Sequence, residues 1–133
     1  MVFTNMEDIL LFGEKGIVWK WKPGNGPIIY KDFKKSLFND VITDKHGRIY
    51  CGMLAENYFD NEKRGKYGSL WLWNNDKFTC IENTIGTTPN GIRFSPDSKK
   101  IYFAVTDDDC IYEYKYDENT GKLTDRKICA TGC

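Results

Sequence analysis

Alternation of apolar and polar positions dominates this chain. Ile17-Val18-Trp19-Lys20-Trp21, Ser69-Leu70-Trp71-Leu72-Trp73 and Ile111-Tyr112-Glu113-Tyr114-Lys115-Tyr116 send successive side chains to opposite faces of an extended backbone, the period of a β-strand. Turn chemistry separates these runs: Pro23-Gly24-Asn25-Gly26-Pro27, Lys45-His46-Gly47, Asn74-Asn75-Asp76, Ser95-Pro96-Asp97-Ser98 and Asp117-Glu118-Asn119-Thr120-Gly121. Asn, Asp and Gly tolerate the positive φ that tight hairpins require. Helix signals are nearly absent, so the pattern predicts an all-β fold of short strands.

The same order of events recurs along the chain. Asn39-Asp40-Val41-Ile42-Thr43-Asp44-Lys45-His46-Gly47-Arg48-Ile49-Tyr50 is echoed by Asn90-Gly91-Ile92-Arg93-Phe94-Ser95-Pro96-Asp97-Ser98-Lys99-Lys100-Ile101-Tyr102. By subtraction, Trp19 and Trp71 are 52 residues apart, Tyr50 and Tyr102 also 52, and Asn39 and Asn90 51. A period near 50 with about four strands per unit predicts blades of a β-propeller. The approximate units are 1–36, 37–88 and 89–133, forming a single partial propeller domain. At this period 133 residues hold between two and three blades of four-stranded antiparallel sheet, whereas propellers close with about four to eight. An open arc leaves two blade faces bare, which predicts partner subunits, further sequence or aggregation, and self-association through those faces.

Composition narrows the function classes by exclusion. Aromatic residues make up 15% of the chain and glycine contributes 12 residues, in keeping with strands and turns. Nineteen basic and 19 acidic residues cancel, so no electrostatic footprint for nucleic acid is expected. No apolar run is long enough for a membrane helix. The segment Met1-Val2-Phe3-Thr4-Asn5-Met6-Glu7-Asp8 has no basic region before its apolar stretch and does not read as a signal peptide. Cysteines at positions 51, 80, 110, 129 and 133 form no Cys-x-x-Cys pair; they read as buried, reduced thiols of a cytoplasmic protein, not as a cysteine zinc site. His46, the lone histidine, supports no catalytic triad and sits in a solvated turn. Trp19, Trp21, Trp71 and Trp73 are expected to pack between blades, and Lys31, Lys34 and Lys35 to decorate an outer loop.

One set of motifs resembles a known family. Phe38-Asn39-Asp40, Asp44, Gly47-Arg48, Tyr50 and Gly52 are followed by Tyr67-Gly68-Ser69-Leu70-Trp71 and then by Pro89-Asn90-Gly91-Ile92, Phe94 and Ser95-Pro96-Asp97. The closing Ile111-Tyr112-Glu113-Tyr114, Tyr116-Asp117, Thr120-Gly121 and Leu123 continue the series. Their order and spacing resemble the gluconolactonase, regucalcin (senescence marker protein) and luciferin-regenerating-enzyme family, its central portion, from about Leu10 to Lys127.

The resemblance implies a six-bladed propeller whose channel holds one divalent metal ion, calcium or else magnesium, manganese or zinc. A sugar lactone or similar cyclic ester would be hydrolysed above it. By the same resemblance Asn90 is a neutral metal ligand, and Asn39 contacts substrate or a metal-bound water. A side-chain amide oxygen is a hard donor suited to such ions, which polarise a carbonyl or acidify a bound water. The family's carboxylate ligands would come from a Gly-Glu motif before Met1 and a Pro-Asp-Gly motif beyond Cys133, the second also supplying the general base.

Local departures bear on substrate. An Arg common two residues before the motif asparagine is Leu37 here, removing a donor for a hydroxyl or carboxylate. Eighteen residues after Asn39 the acid-type position falls on Asn57, with Glu56 beside it; both become substrate-binding candidates if the stretch 57–66 lies over the channel mouth, and otherwise belong to a surface hairpin loop. Asp107, Asp108 and Asp109 read as a solvated loop. Asn39 and Asn90 either cap turns or face the channel, and their equivalent placement favours the channel. Three readings follow: a fragment of a metal-dependent lactone hydrolase, catalytically incomplete on its own; a noncatalytic binding or scaffold module; or an inactive truncated product.

Overall fold

A computed structural model describes residues 1–4 and 8–132. Cys133 lies outside the described residues, as do Asn5, Met6 and Glu7 of the N-terminal segment considered above. Among the described residues, twelve strands form three four-stranded sheets. The first contains β1 (Val2–Phe3), β2 (Ile9–Phe12), β3 (Ile17–Trp21) and β4 (Ile28–Asp32). Strands β5 (Phe38–Thr43), β6 (Ile49–Met53), β7 (Gly68–Asn74) and β8 (Lys77–Ile85) make the second. The third is β9 (Pro89–Phe94), β10 (Lys100–Val105), β11 (Cys110–Tyr116) and β12 (Leu123–Thr131). Strand order follows chain order in every sheet and all pairings are antiparallel. Each sheet is therefore an up-and-down meander, the form of a propeller blade.

The described residues thus hold three sheets where the period allowed between two and three blades. The first is compressed: β1 is only two residues long, so four strands fit into fewer residues than in the other two. The alternating segments fall on β3, β7 and β11, the third strand of each sheet. The only helical turns among the described residues are short 3-10 segments, Glu14–Gly16 and Thr106–Asp108.

Two apolar layers join the sheets. Between the first and second, Phe33 stacks on Phe78 with centroids 4.1 Å apart, Phe12 meets Phe38 edge-on at 5.1 Å, and Trp73 contacts both Phe12 and Phe33. Between the second and third, Tyr50, Leu70, Ile85, Ile92, Ile101 and Phe103 are fully buried. Each such side chain contributes about 1.5–3 kcal/mol relative to an exposed one. Trp71 and Trp73 join the first of these layers. Trp19 and Trp21 are half-buried outside both layers, with the Trp19 ring lying over Gly13, because the first sheet has no neighbour on that side among the described residues.

A polar clamp fixes the second sheet to the third. Arg48, only 5% exposed, donates to Asp44 and to Tyr116 Oη at 3.0 Å, and reaches the carbonyls of Glu118 and Asn119. Tyr116 Oη donates to Asp44 Oδ2 at 2.9 Å, and Tyr50 Oη donates to the Gly121 carbonyl at 2.7 Å. A buried guanidinium is tolerable only with its carboxylate and acceptors in place. The Asp44, Gly47-Arg48 and Tyr50 motif is therefore structural.

The thiols are mixed: Cys51 and Cys110 are buried, whereas Cys80 and Cys129 are exposed on β8 and β12. These fourth strands lie at the sheet edges, which is why their side chains escape burial. His46 is half-exposed in its turn, with Nε2 3.7 Å from Glu118 Oε1.

Candidate functional site

The first strands of the sheets run against one another, β1 against β5 and β5 against β9. Asn39 and Asn90 are each the second residue of such a strand, and each lies at a register shift. On β5 the pairing steps from Phe38↔Met53 to Asp40↔Gly52, leaving Asn39 as the extra residue. On β9 it steps from Asn90↔Ala104 to Arg93↔Tyr102, so the extra residue follows Asn90. A bulge turns a side chain out of the pleat, and both asparagines are exposed while Phe38, Pro89 and Ile92 around them are buried.

Asn39 Nδ2 donates to the Pro89 carbonyl at 2.8 Å. Asp40 continues the seam: Oδ2 accepts the Ile92 N–H at 2.9 Å, and Oδ1 accepts the Val41 N–H at 2.9 Å. The pair Asn39-Asp40 thereby fixes β5 to the strand that carries Asn90. Asn90 Oδ1 accepts the Gly91 N–H at 2.9 Å, and Gly91 has φ +55°, a left-handed turn that glycine adopts at no steric cost.

Glu56 and Asn57 open the connection between β6 and β7. Gly65 N–H donates to the Glu56 carbonyl at 2.6 Å and Asp60 N–H to the Asn57 carbonyl at 2.8 Å, closing a compact loop. Asn57 Nδ2 reaches the Lys63 carbonyl at 3.3 Å. The loop is docked by Tyr58, whose hydroxyl accepts from Thr88 Oγ1 at 3.0 Å; Arg64 stacks on the same ring at 5.5 Å. Glu56 and Asn57 line a cleft of about 600 Å³ together with Leu37, Lys34, Tyr58 and Phe59, among others. Asn39 and Asn90 are not in its walls. They are adjoined to it through Leu37, two residues before Asn39, and Thr88, two before Asn90; Ala55 N–H donates to the Thr87 carbonyl at 3.0 Å and Leu54 N–H to the Leu37 carbonyl at 2.9 Å.

The acidic run is exposed, as a solvated loop would be, but two of its carboxylates are also hydrogen-bonded. Thr87 Oγ1 donates to Asp107 Oδ2, and Asp108 Oδ2 accepts from Gly86 N–H and Tyr112 Oη, both at 3.1 Å. Burial alone would raise the Asp107 pKa, but hydrogen bonds from Thr87 and Thr88 outweigh it and hold the carboxyl below its ordinary value. Val105 pairs with Pro89, so the end of β10 delivers these carboxylates to the segment entering β9. Tyr58, Thr87, Thr88 and Asp107 thus brace the segment that leads into Pro89 and Asn90. The signal for them was the pair Thr87-Thr88 immediately before the Pro89-Asn90 motif.

Among the described residues no three of His, Cys, Asp or Glu converge as metal ligands would. Asn90 supplies one hard amide oxygen, and one neutral oxygen does not hold a divalent cation. The described residues alone therefore do not make a metal shell. Among them, no helix is long and apolar enough to cross a membrane.

Three sequential four-stranded meanders, with motif asparagines on adjoining first strands, define a propeller-like all-β protein. Residues 2–132 match the SMP-30/Gluconolactonase/LRE-like region, and the chain belongs to that family. It is 36% identical over 91 residues to pentonolactonase XacC of Haloferax volcanii, a match covering 68% of this chain and 28% of that protein. A luciferin-regenerating enzyme superposes with a TM-score of 0.80 at 20% identity, over 98% of this chain and 45% of its own. Regucalcin of Agrobacterium tumefaciens, a calcium-binding protein, gives 0.74 at 20% identity over 95% and 42%. A gluconolactonase of Xanthomonas campestris gives 0.69 at 16% identity over 93% and 45%. The chain spans less than half the length of each of these relatives.

Proposed function

We propose that this chain is the portion of a six-bladed lactone hydrolase that carries one wall of the active channel, with a sugar lactone as substrate. The observation that carries the reading is the Asn39 bond to the Pro89 carbonyl, which holds two family-motif asparagines on neighbouring first strands. Asn39 and Asn90 present amides toward the shared side of the sheets, and Glu56 and Asn57 offer hydrogen-bonding groups to sugar hydroxyls from the adjoining cleft. Asn90 Oδ1 serves as one neutral ligand of a divalent cation, calcium or else magnesium, manganese or zinc, whose carboxylates come from outside the described residues. The approximate units 1–36, 37–88 and 89–133 act as three blades of one domain.

The test is hydrolysis of a panel of aldonolactones by the full six-bladed protein of which this chain is proposed to be a portion, and by its Asn90→Ala variant, each with calcium or manganese. Faster ring opening by the parent supports the reading. Turnover by both at equal rates would remove Asn90 from the site. Ligand binding without turnover in the parent would instead favour a noncatalytic binding module.

A further inference from the structure

The cleft beside the asparagines has two chemically different walls. One wall comes from two connections clasped together: Phe33 N–H donates to the Gly16 carbonyl at 3.0 Å, and a Cβ on Gly16 would lie 2.7 Å from the Lys35 nitrogen. This clasp places Lys15 and Lys34 along one rim. Both have left-handed backbones, φ +57° and +50°, a conformation that costs a non-glycine residue strain. Among the described residues, neither ammonium has a carboxylate within ion-pair distance. Lys35, next in sequence, also lines the cleft, but its ammonium lies 4.7 Å over the Trp71 ring.

The other wall is built for hydroxyls and a ring face. Glu56 offers carboxylate oxygens and Asn57, whose Nδ2 also donates to the Lys63 carbonyl, its amide oxygen, and Phe59, also in the lining, stands 79% exposed, an apolar surface of the kind that lines small-molecule sites. Of the cleft's carboxylates, Asp60 is occupied by its own loop, accepting from Glu62 and Lys63 N–H groups. Glu14 and Glu56 remain. Leu37, also in the lining, contributes no donor.

We propose that this cleft is a subsite for a sugar acid derivative with an anionic group, carboxylate or phosphate, at the end remote from the lactone ring. Lys15 and Lys34 bind the anion, while Glu56 and Asn57 bind hydroxyls and Phe59 covers the ring face. This rests on the lactonase reading above and deepens it by naming the substrate class.

The experiment compares binding of 6-phosphogluconate, glucarate and gluconate to the chain at low salt, by calorimetry. The first two carry the remote anion as phosphate or carboxylate, and gluconate lacks it. Lys15→Asn and Lys34→Asn are the variants, because Asn tolerates the left-handed backbone, with melting curves confirming folding; Lys35→Ala is the control. Two exposed charge contacts predict a preference of about tenfold over gluconate, abolished by the double variant, weakened by salt and retained in Lys35→Ala. Tighter phosphate than carboxylate binding identifies the anion, and the reverse order identifies the other. Equal affinity for all three acids, or a preference that survives the double variant, overturns the proposal. Hydrolysis of neutral gluconolactone is measured separately, on the full six-bladed protein of which this chain is proposed to be a portion. Turnover without anion preference sinks the subsite alone, whereas anion preference without turnover of any lactone leaves the subsite and sinks the lactonase reading.

Discussion

The side-chain amide of Asn39 donates to the main-chain carbonyl of Pro89, 50 positions away along the chain, at 2.8 Å. A contact of this kind ties together the bulged starts of two strands in different sheets, so it is at once structural and positional. Truncating it removes one half-buried hydrogen bond and leaves the Pro89 carbonyl without that donor. Asn39→Ala is expected to lower stability by about 1 kcal/mol, read as a shift in the urea midpoint at unchanged slope. Asn39→Asp removes the donor and adds charge, and is expected to cost at least as much. An unaltered midpoint in both variants would show that the seam is held by Asp40 alone.

The Arg48 clamp offers a larger effect. Its guanidinium is buried against Asp44, Tyr116 and two carbonyls, so Asp44→Ala strands a positive charge between sheets. Losing one partner of a buried pair costs about 3–5 kcal/mol, a large share of the stability of a small domain. Replacing Arg48 by Met removes the charge itself while keeping much of the volume, and is expected to cost less than Asp44→Ala. Chemical denaturation of the two variants checks the order; equal losses would mean that the carbonyl bonds, not the ion pair, carry the clamp.

Gly121 tests the same joint sterically. It has φ +75°, and a Cβ there would lie 2.8 Å from Arg48 Cδ and Nε. Gly121→Ala combines left-handed strain with displacement of the buried side chain, which predicts a loss of more than about 1 kcal/mol. Gly24, also left-handed, has nothing within 4 Å of the corresponding position, so Gly24→Ala carries the backbone cost without the clash. Comparing the two melting temperatures separates the terms.

The sheets were readable from the chain because local chemistry determines them. Period-2 alternation in 17–21, 69–73 and 111–116, bounded by Asn, Asp and Gly turns, leaves little choice of element, and the asparagine at the head of two units falls at the second position of β5 and β9. The short first sheet was less legible because β1 has two residues and therefore no detectable period. Side-chain networks were largely invisible. The bonds from Thr88 to Tyr58 and from Thr87 to Asp107 join segments 20 or more positions apart, and nothing in the local composition of 107–109 distinguishes a carboxylate held by threonines from one in water. Arg48 was visible as part of a motif, but its burial follows from the 116–121 segment folding over it, a tertiary event.

Acid provides a final test, through Asp44. Burial pushes its pKa upward, yet hydrogen bonds from Arg48, Tyr116 and the backbone N–H groups of Arg48 and His46 prevail and hold the folded value below the ordinary one. A carboxyl depressed on folding stabilises the native state above its unfolded pKa, about 3.9, and that stabilisation is lost as pH falls through the lower folded value. Tyr116, pushed up to about 12 by burial and by Asp44 despite opposition from Arg48, stays neutral and donating throughout. Melting temperature is therefore expected to hold steady from neutral pH down to about 5 and to decline below about 4. Other carboxylates with depressed values, such as Glu113 between Lys100 and Lys127, contribute to the decline in every variant. In Asp44→Asn the protein starts less stable, and the part of the acid decline due to this residue disappears, so the curve is shallower. Parallel curves for parent and variant would show that Asp44 is not depressed, and that the clamp draws its strength from geometry and not from ionisation.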